Sequence, residues 1–299
     1  MSDPTTSRRS PLQEGRRHGQ RLALLVGTFV LQFLPASLWA QEFRIYTRVY
    51  NEAPAAGAGS SQAARDPVIV GRSVSFFHAG KVYDYVDTAG EVTIFEPVLD
   101  RFTILNSSRM LVATLTLTEL RQRLDESKLE AERYLLRAKS GDEPDARRLS
   151  SLIEFQLRPQ FRESWDPQKR LLTLSSPDFT YEAQCAPAKS PEIVNTYLRY
   201  TDWTSQLNYL LHPQALLPGP RLALNASLRD KQMLPITVAL KARIGTGIQL
   251  RAKHEISWQL DEQDRRWIHQ WESVLNSPDV QRVEFAELQR AILAGSTRR

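Results

Sequence analysis

The sequence predicts a single α+β domain over residues 41–299, built on a large curved antiparallel β-sheet of half-barrel-like form with helices covering one face. Three observations lead to this prediction. Short runs of alternating apolar and polar residues, separated by turn residues, fill much of residues 43–114. A long hairpin follows at residues 236–260, and amphipathic helical periodicity appears at several places between and after these strands. The sequence has neither an internal repeat nor a clear second domain.

The first part of the domain is predicted to be an antiparallel meander. The run at 43–50 alternates strictly, so Phe43, Ile45, Thr47 and Val49 face one side. The later strands are predicted at 68–78, 81–87, 91–95, 101–105 and 109–114. Residues 51–66 are rich in Ala, Gly and Ser and predict a flexible loop between the first two strands.

Helices and further strands are predicted after residue 115. Thr116 and Glu119 match a capping box, in which hydroxyl and carboxylate satisfy the first free amides of a helix that runs to about residue 138. A short second helical segment extends to Leu152. The remaining predicted elements are strands at 155–161, 170–174 and 179–184, a helix at 192–211, a proline-containing loop at 217–220, and helical segments at 261–275 and 285–293.

The hairpin at 236–260 contains the residue of greatest interest, His254. It lies in register with an apolar row that the alternation turns inward, so we expect it to be at least partly buried. It is either a core histidine bonded to a carbonyl or tyrosine, or part of a ligand-cavity wall. An aromatic-rich helix at 192–211 either plugs the sheet or forms a movable lid. The candidate ligand-binding residues are His254, Leu250, Ile256, Trp258, Tyr200 and Trp203.

Residues 1–40 are typical of an export signal. An uncharged run of 13 residues, 22–34, precedes Pro35, and Ala40 is the predicted cleavage position. Five arginines precede the run: Arg8, Arg9, Arg16, Arg17 and Arg21. An uncleaved membrane anchor is the alternative, but a spanning helix needs about 20 apolar residues. We therefore expect a periplasmic or fully secreted protein with no transmembrane helix after cleavage.

The charge of the domain indicates no nucleic-acid partner. Five of the 39 basic and two of the 34 acidic residues precede Gln41, so the net charge of the rest is +2. Most of the basic excess thus belongs to the signal. Cys185 is the single cysteine, which rules out an intramolecular disulfide, and it follows a strand pattern that predicts a half-buried structural thiol.

The sequence contains no familiar catalytic or metal-binding motif. It has no glycine-rich phosphate loop, no G-x-S-x-G elbow and no metal-ligand spacing. His254-Glu255 begins like a zinc-protease motif, but Trp258 stands where the second histidine is required. We therefore assign no catalytic residue, no metal and no cofactor, and these absences favour a protein that is not an enzyme.

The stretch from Ser73 to Leu120 resembles the LolA/LolB-like half-barrels of the lipoprotein-carrier superfamily. The resemblance lies in the order strand, G-K-x-Y, strand, acidic residue before Pro97, strand and helix. The export signal is also similar. This chain departs from the pattern in two ways. Its first predicted strand begins directly after the predicted signal, and its helix after residue 116 is long and charged. The resemblance implies a concave apolar surface that holds acyl chains, with helices as a lid.

Three functions remain open at this point. The first is a carrier of an apolar ligand, either a lipid or the acyl chains of a lipoprotein. The second is a non-catalytic structural or interaction protein of the cell envelope with a solid core and a protein partner. The third is a hydrolase with an unrecognised site, in which carboxylates converge with His254 or His269 in a cleft.

Overall fold

The computed structural model describes residues 42–53, 68–138, 144–212, 215–245 and 247–296. The predicted export signal and most of the predicted loop at 51–66 lie outside these residues. The strands are β1 (Phe43–Asn51), β2 (Val68–His78), β3 (Lys81–Val86), β4 (Glu91–Glu96), β5 (Arg101–Asn106), β6 (Leu111–Thr116), β7 (Arg162–Asp166), β8 (Leu171–Ser175), β9 (Phe179–Pro187), β10 (Met233–Ala242), β11 (Ile248–Ser257) and β12 (Gln281–Arg282). The helices are α1 (Leu117–Ala138), α2 (Pro144–Leu157), α3 (Pro191–Leu211), α4 (Gly219–Lys231), α5 (Glu262–Leu275) and α6 (Phe285–Ser296).

The twelve strands form one open sheet in the order β12-β6-β5-β4-β3-β2-β1-β11-β10-β9-β8-β7. Two antiparallel meanders meet where β1 pairs with β11, with Thr47 opposite His254 and Ile45 opposite Ile256. The short β12 pairs in parallel with β6 and is the exception to antiparallel pairing. The predicted class, an α+β fold with a large open antiparallel sheet, is confirmed.

Most of the helices pack on the face of the sheet that carries Phe77, Val82 and Phe95, here called the inner face. The aromatic side of α3 lies on its centre, where Tyr200 meets Phe77 edge-on at 5.7 Å between ring centroids. The other helices that contribute buried residues here are α1, α2, α4 and α6. Burial of these apolar side chains is the main favourable contribution to folding.

The opposite face, here called the outer face, carries one helix in addition to the predicted layer. Helix α5 buries Ile268 and packs Trp271 against Phe76, at 5.8 Å between ring centroids. Leu260 also belongs to this outer cluster. The inward row of His254 thus does not extend to Leu260, because β11 ends at Ser257 and the alternation does not continue through the turn into α5.

The strand predicted at 155–161 was also wrong. Helix α2 continues to Leu157, and strand β7 begins only at Arg162. Phe155 lies in this helix, where its ring stacks on Phe179 with 4.9 Å between ring centroids and meets Phe161 edge-on at 5.0 Å. A short apolar run fits a strand and a buried helix equally well, so tertiary packing decided the outcome.

Helix α4 was not predicted, since residues 217–220 read as a proline-containing loop. Proline lacks an amide hydrogen but is tolerated in the first helical turn, where that donor has no partner within the helix, and Pro220 occupies this position. Leu224 and Leu228, four residues apart, are buried on the helix face that meets the core.

The predicted start of α1 is confirmed by the reciprocal hydrogen bonds of Thr116 and Glu119. Within the described residues, none of the helices is long and apolar enough to cross a bilayer.

Candidate functional site

A strip of the inner face at the middle of the sheet is less covered than its surroundings. Strand β11 is paired on both sides, yet none of its residues is fully buried, whereas the neighbouring β10 has buried residues along its length. The strip continues across β1 and β2, where several inward side chains are small or absent. Its half-buried members, here called the open strip, are Thr47, Val49, Gly71, Ser73, Leu250, Ala252 and His254.

The small residues leave space on the sheet surface. Gly71 lies opposite Val49 in the pairing of β1 with β2. A Cβ atom built on Gly71 would come no nearer than 3.7 Å to the Val49 side chain, so glycine is not required here by crowding. Ala252 on β11 pairs with the same Val49. The result is a shallow apolar floor in the centre of the twelve-stranded sheet.

His254 lies at one end of this floor and has one satisfied ring nitrogen. Its Nδ1 is 2.9 Å from the hydroxyl oxygen of Thr47. Its Nε2 is buried and has no hydrogen-bond partner among the residues that the structure describes. Burial, followed by the positive charge of Arg221, lowers the pKa of His254 to about 4. The imidazole is therefore neutral at pH 7 and leaves one polar atom unsatisfied, which costs about 1–3 kcal/mol when no ligand or water fills the place.

Arg221, at the start of α4, supplies positive charge beside this site. Its Nε donates to Oδ1 of Asn225 at 3.0 Å. Burial raises the pKa of both Tyr181 and Tyr197, and in each case the charge of Arg221 opposes the rise. Within the described ranges, no carboxylate forms a salt bridge with Arg221. Arg221 was not anticipated from the sequence because it follows the stretch that was read as a loop.

The structure separates the sequence-predicted site residues into three groups. Leu250, His254 and Ile256 share the inward side of β11, as predicted. Trp258, just beyond β11, packs beside Phe43 at 6.2 Å between ring centroids. Tyr200 and Trp203 belong to α3 and lie away from this row.

Tyr200 is buried over β2–β4, where it packs on Phe77 and on Phe95. Trp203 faces a surface groove instead. The Arg121 guanidinium stacks on its ring at 4.7 Å, and Asp202 and Arg229 line the same groove of about 350 Å³. We therefore place Trp203 outside the open strip, because its ring contacts Arg121 of α1.

A buried polar cluster on the inner face was not anticipated from the sequence. The hydroxyl of Ser75 donates to Oδ1 of Asp84 at 2.5 Å. Burial raises the pKa of Asp84 to about 6, against hydrogen bonds from Ser75 and Tyr200. On the next strand, burial raises the pKa of Glu91 to about 7, and its Oε2 lies 3.8 Å from Nε2 of His212. Asp84 is in phase with the inward Val82, and that phase was the available sequence signal.

The other histidines do not join His254. His78, at the end of β2, lies 2.6 Å through its Nδ1 from Oε1 of Glu42. The same carboxylate binds Arg265 of α5, which places the pair at the outer layer. His269 is exposed on α5. His78 therefore lies on the outer face, away from His254, and His254 and His269 also belong to opposite faces of the sheet.

The outer face has a cleft of its own, of about 440 Å³. Three aromatic residues, Tyr46, Tyr85 and Trp267, line it together with Arg48 and Arg72. The guanidinium of Arg48 also stacks over Tyr46 at 5.7 Å. Aromatic rings next to arginine are typical of protein interaction surfaces.

No protein-family model matches this chain, and no curated protein shows significant sequence similarity to it.

Proposed function

We propose that this chain is an exported envelope protein that binds an apolar or amphipathic ligand, such as a lipid or a lipoprotein acyl chain, on the open strip between sheet and helices. The incomplete cover of β11 carries the proposal. A central strand of a large sheet is normally buried on the face that its helices cover. Here its inward residues stay half-buried, although the same face is densely packed over β3–β6.

The composition of the strip supports this proposal. Val49, Leu250 and Ala252 offer an apolar surface, and His254 adds one unsatisfied polar atom at its edge. Ligand sites in proteins combine a mostly apolar lining with a few placed polar groups. The predicted export signal supports the envelope as the compartment, since lipids and lipoproteins must cross an aqueous space there.

The test is native mass spectrometry of the protein purified from an envelope fraction. We expect an adduct that is released on denaturation and identified as a lipid or acyl chain. Leu250→Trp should abolish the adduct because the added ring fills the strip. Lys253→Trp is the matched control, since it adds the same ring to an exposed position on the other face of β11 and should keep the adduct. A clean apo mass for the unaltered protein would refute the proposal.

The second candidate is a non-catalytic interaction protein, and the aromatic and arginine-lined outer cleft favours it. In that case Trp267→Ala should release a co-purifying envelope protein, whereas Leu250→Trp should not. Retention of the partner by Trp267→Ala would count against this alternative.

A further inference from the structure

The cleft of about 440 Å³ on the outer face has an accessible aromatic wall. Trp267 of α5 packs edge-on against Tyr85 of β3 at 6.1 Å between ring centroids, yet 36% of its surface stays exposed. Tyr46 of β1 also lines the cleft. A cleft of this volume is large enough for a bound ligand or for the side chains of a short peptide. A molecule that enters from solvent can therefore pack on these rings directly.

Arg72 of β2 brings an unpaired cation to the same cleft. It lies directly opposite Arg48 in the pairing of β1 with β2, and like charges in this position destabilise a sheet. Arg48 is bonded to Glu255 of β11, whereas Arg72 is exposed and forms no salt bridge with any carboxylate of the described residues. Asp87, at the rim, is likewise without a salt bridge in that part of the chain. The cleft therefore offers a guanidinium to an anion and a carboxylate to a hydrogen-bond donor.

An exposed apolar run on β2 extends the apolar wall beyond the cleft. Ile69 lines the cleft, and Val68 and Val70 flank it along the strand. The exposed fractions of residues 68, 69 and 70 are 66%, 37% and 47%. Single exposed apolar residues are normal on a protein surface, but three in succession beside an aromatic cleft form a patch of the kind that partners cover. The bound molecule should therefore carry apolar groups outside the cleft as well as inside it.

We infer that the outer cleft binds an extended, acidic peptide segment of a partner protein. One apolar side chain of the segment packs against Trp267 and Tyr85, an acidic side chain pairs with Arg72, and a further apolar side chain covers Ile69. This inference rests on the second candidate function and names the chemistry of its partner. Tryptophan, tyrosine and arginine are the residues that contribute most to binding at protein interfaces. A guanidinium also matches the two oxygens of a carboxylate with two parallel N–H groups.

A peptide accounts for all three features of the cleft, whereas other ligand classes account for fewer. A saccharide could stack on Trp267, but its hydroxyl-rich surface would leave the apolar run at 68–70 uncovered. A nucleic acid needs several free cations for its phosphates, and here Arg48 is already bonded to Glu255. A peptide supplies a carboxylate for Arg72, amide hydrogens for Asp87 and apolar side chains for the rest.

The experiment selects peptides from a phage-displayed library of random heptapeptides on the purified protein. We expect the enriched sequences to combine an aromatic or aliphatic residue with a nearby Asp or Glu. Trp267→Ala should weaken the binding of these peptides about 30-fold, as expected for a tryptophan at the centre of an interface. Arg72→Glu should weaken it by about 5-fold or more and, when the selection is repeated on this variant, should enrich basic peptides instead. Arg162→Glu makes the same charge change at an exposed position of β7, at the far edge of the sheet, and should keep the affinity.

The possible outcomes separate this inference from the candidate functions. Enriched peptides without acidic residues, or peptides whose binding is unchanged by Arg72→Glu, overturn the acidic segment and leave the outer cleft as an interaction surface. No enrichment, or equal binding to Trp267→Ala, overturns the inference and counts against the second candidate function. Quenching of tryptophan fluorescence by maltotriose or chitotriose, with no enriched peptide, would show a saccharide site and also overturn it.

The test of lipid binding is independent of these results, because the open strip lies on the inner face. The comparison of Arg72→Glu with Arg162→Glu decides the matter even if Trp267→Ala does not fold, since both arginines are exposed.

Discussion

Glu91 and Glu96, at the two ends of β4, provide a stringent test of the electrostatics of this fold. Both side chains are almost fully buried, with 5% and 6% of their surface exposed. Glu91 faces inward, its Oε2 lies 3.8 Å from Nε2 of His212, and burial raises its pKa to about 7. Glu96 faces outward. Burial alone would raise its pKa, but the hydrogen bond from Arg101 and the charge of Lys81 outweigh burial and lower it.

The two carboxylates therefore change stability with pH in opposite directions. The folded pKa of Glu91 lies above its unfolded value of 4.5, so the folded state holds the extra proton and loses stability as pH rises from 4.5 to about 7. A shift of this size corresponds to about 3 kcal/mol above pH 7. The lowered pKa of Glu96 means that its ion pairs stabilise the fold above the unfolded pKa, and that this stability is lost as pH falls through the folded value.

We expect Glu91→Gln to be more stable than the unaltered protein at pH 8, by up to about 3 kcal/mol. The two should have nearly equal stability at pH 4.5. Glu96→Gln should instead be less stable at pH 8, and its deficit should shrink toward low pH. Urea unfolding followed by tryptophan fluorescence at several pH values measures both free energies. Destabilisation by Glu91→Gln at pH 8, or a difference between it and the unaltered protein that does not vary with pH, would contradict this reasoning.

Three further predictions concern packing, thiol reactivity and helix capping. Leu250→Trp should change the free energy of unfolding by less than about 1 kcal/mol, because the open strip has room for the ring. Ile256→Trp should lower that free energy by about 1–3 kcal/mol, because it overpacks the core beside Ile45. Equal effects of the two variants in urea unfolding would argue against an open strip. Cys185 should resist labelling by a maleimide reagent at pH 8 in the native protein, because burial raises the pKa of its thiol to about 11. Rapid labelling of the native protein would refute this prediction. Thr116→Ala should destabilise the protein by about 1 kcal/mol, because the hydroxyl that caps α1 is lost. Thr116→Ser keeps a hydroxyl and should retain most of the stability of the unaltered protein. An equal loss of stability in both variants would show that the hydroxyl is not the cause.

The first meander was readable from the sequence because its signals are local. The observed bounds of β2 agree with the predicted ones, and β3 to β5 differ by a single residue at one end. Turn residues such as Gly80 and Gly90, both with positive φ, separate the alternating runs and so mark where each strand ends. The misread stretch at 155–161 has a breaker inside it, Pro159, and helix α2 ends just before that proline. The aromatic residues on either side of it satisfy either periodicity.

The candidate site was only partly predictable. Alternation placed His254 on the inward side of β11, and the structure agrees. Nothing local indicated Arg221, since its position depends on how α4 packs against α3 and β10. Nor could the sequence show that the Nε2 atom of His254 is buried without a partner, because burial depends on every element that packs around it.

The sequence by itself determined which side of each strand is apolar, where most strands and helices begin, and that a histidine lies in an inward row. These properties follow from the two-residue period of a strand and the 3.6-residue period of a helix, which neighbouring residues set. The tertiary structure alone decided that β1 pairs with β11 and thereby joins two meanders into one sheet with His254 at its centre. That pairing joins residues about two hundred positions apart, and its stability comes from long-range backbone bonds and packing that no local pattern encodes.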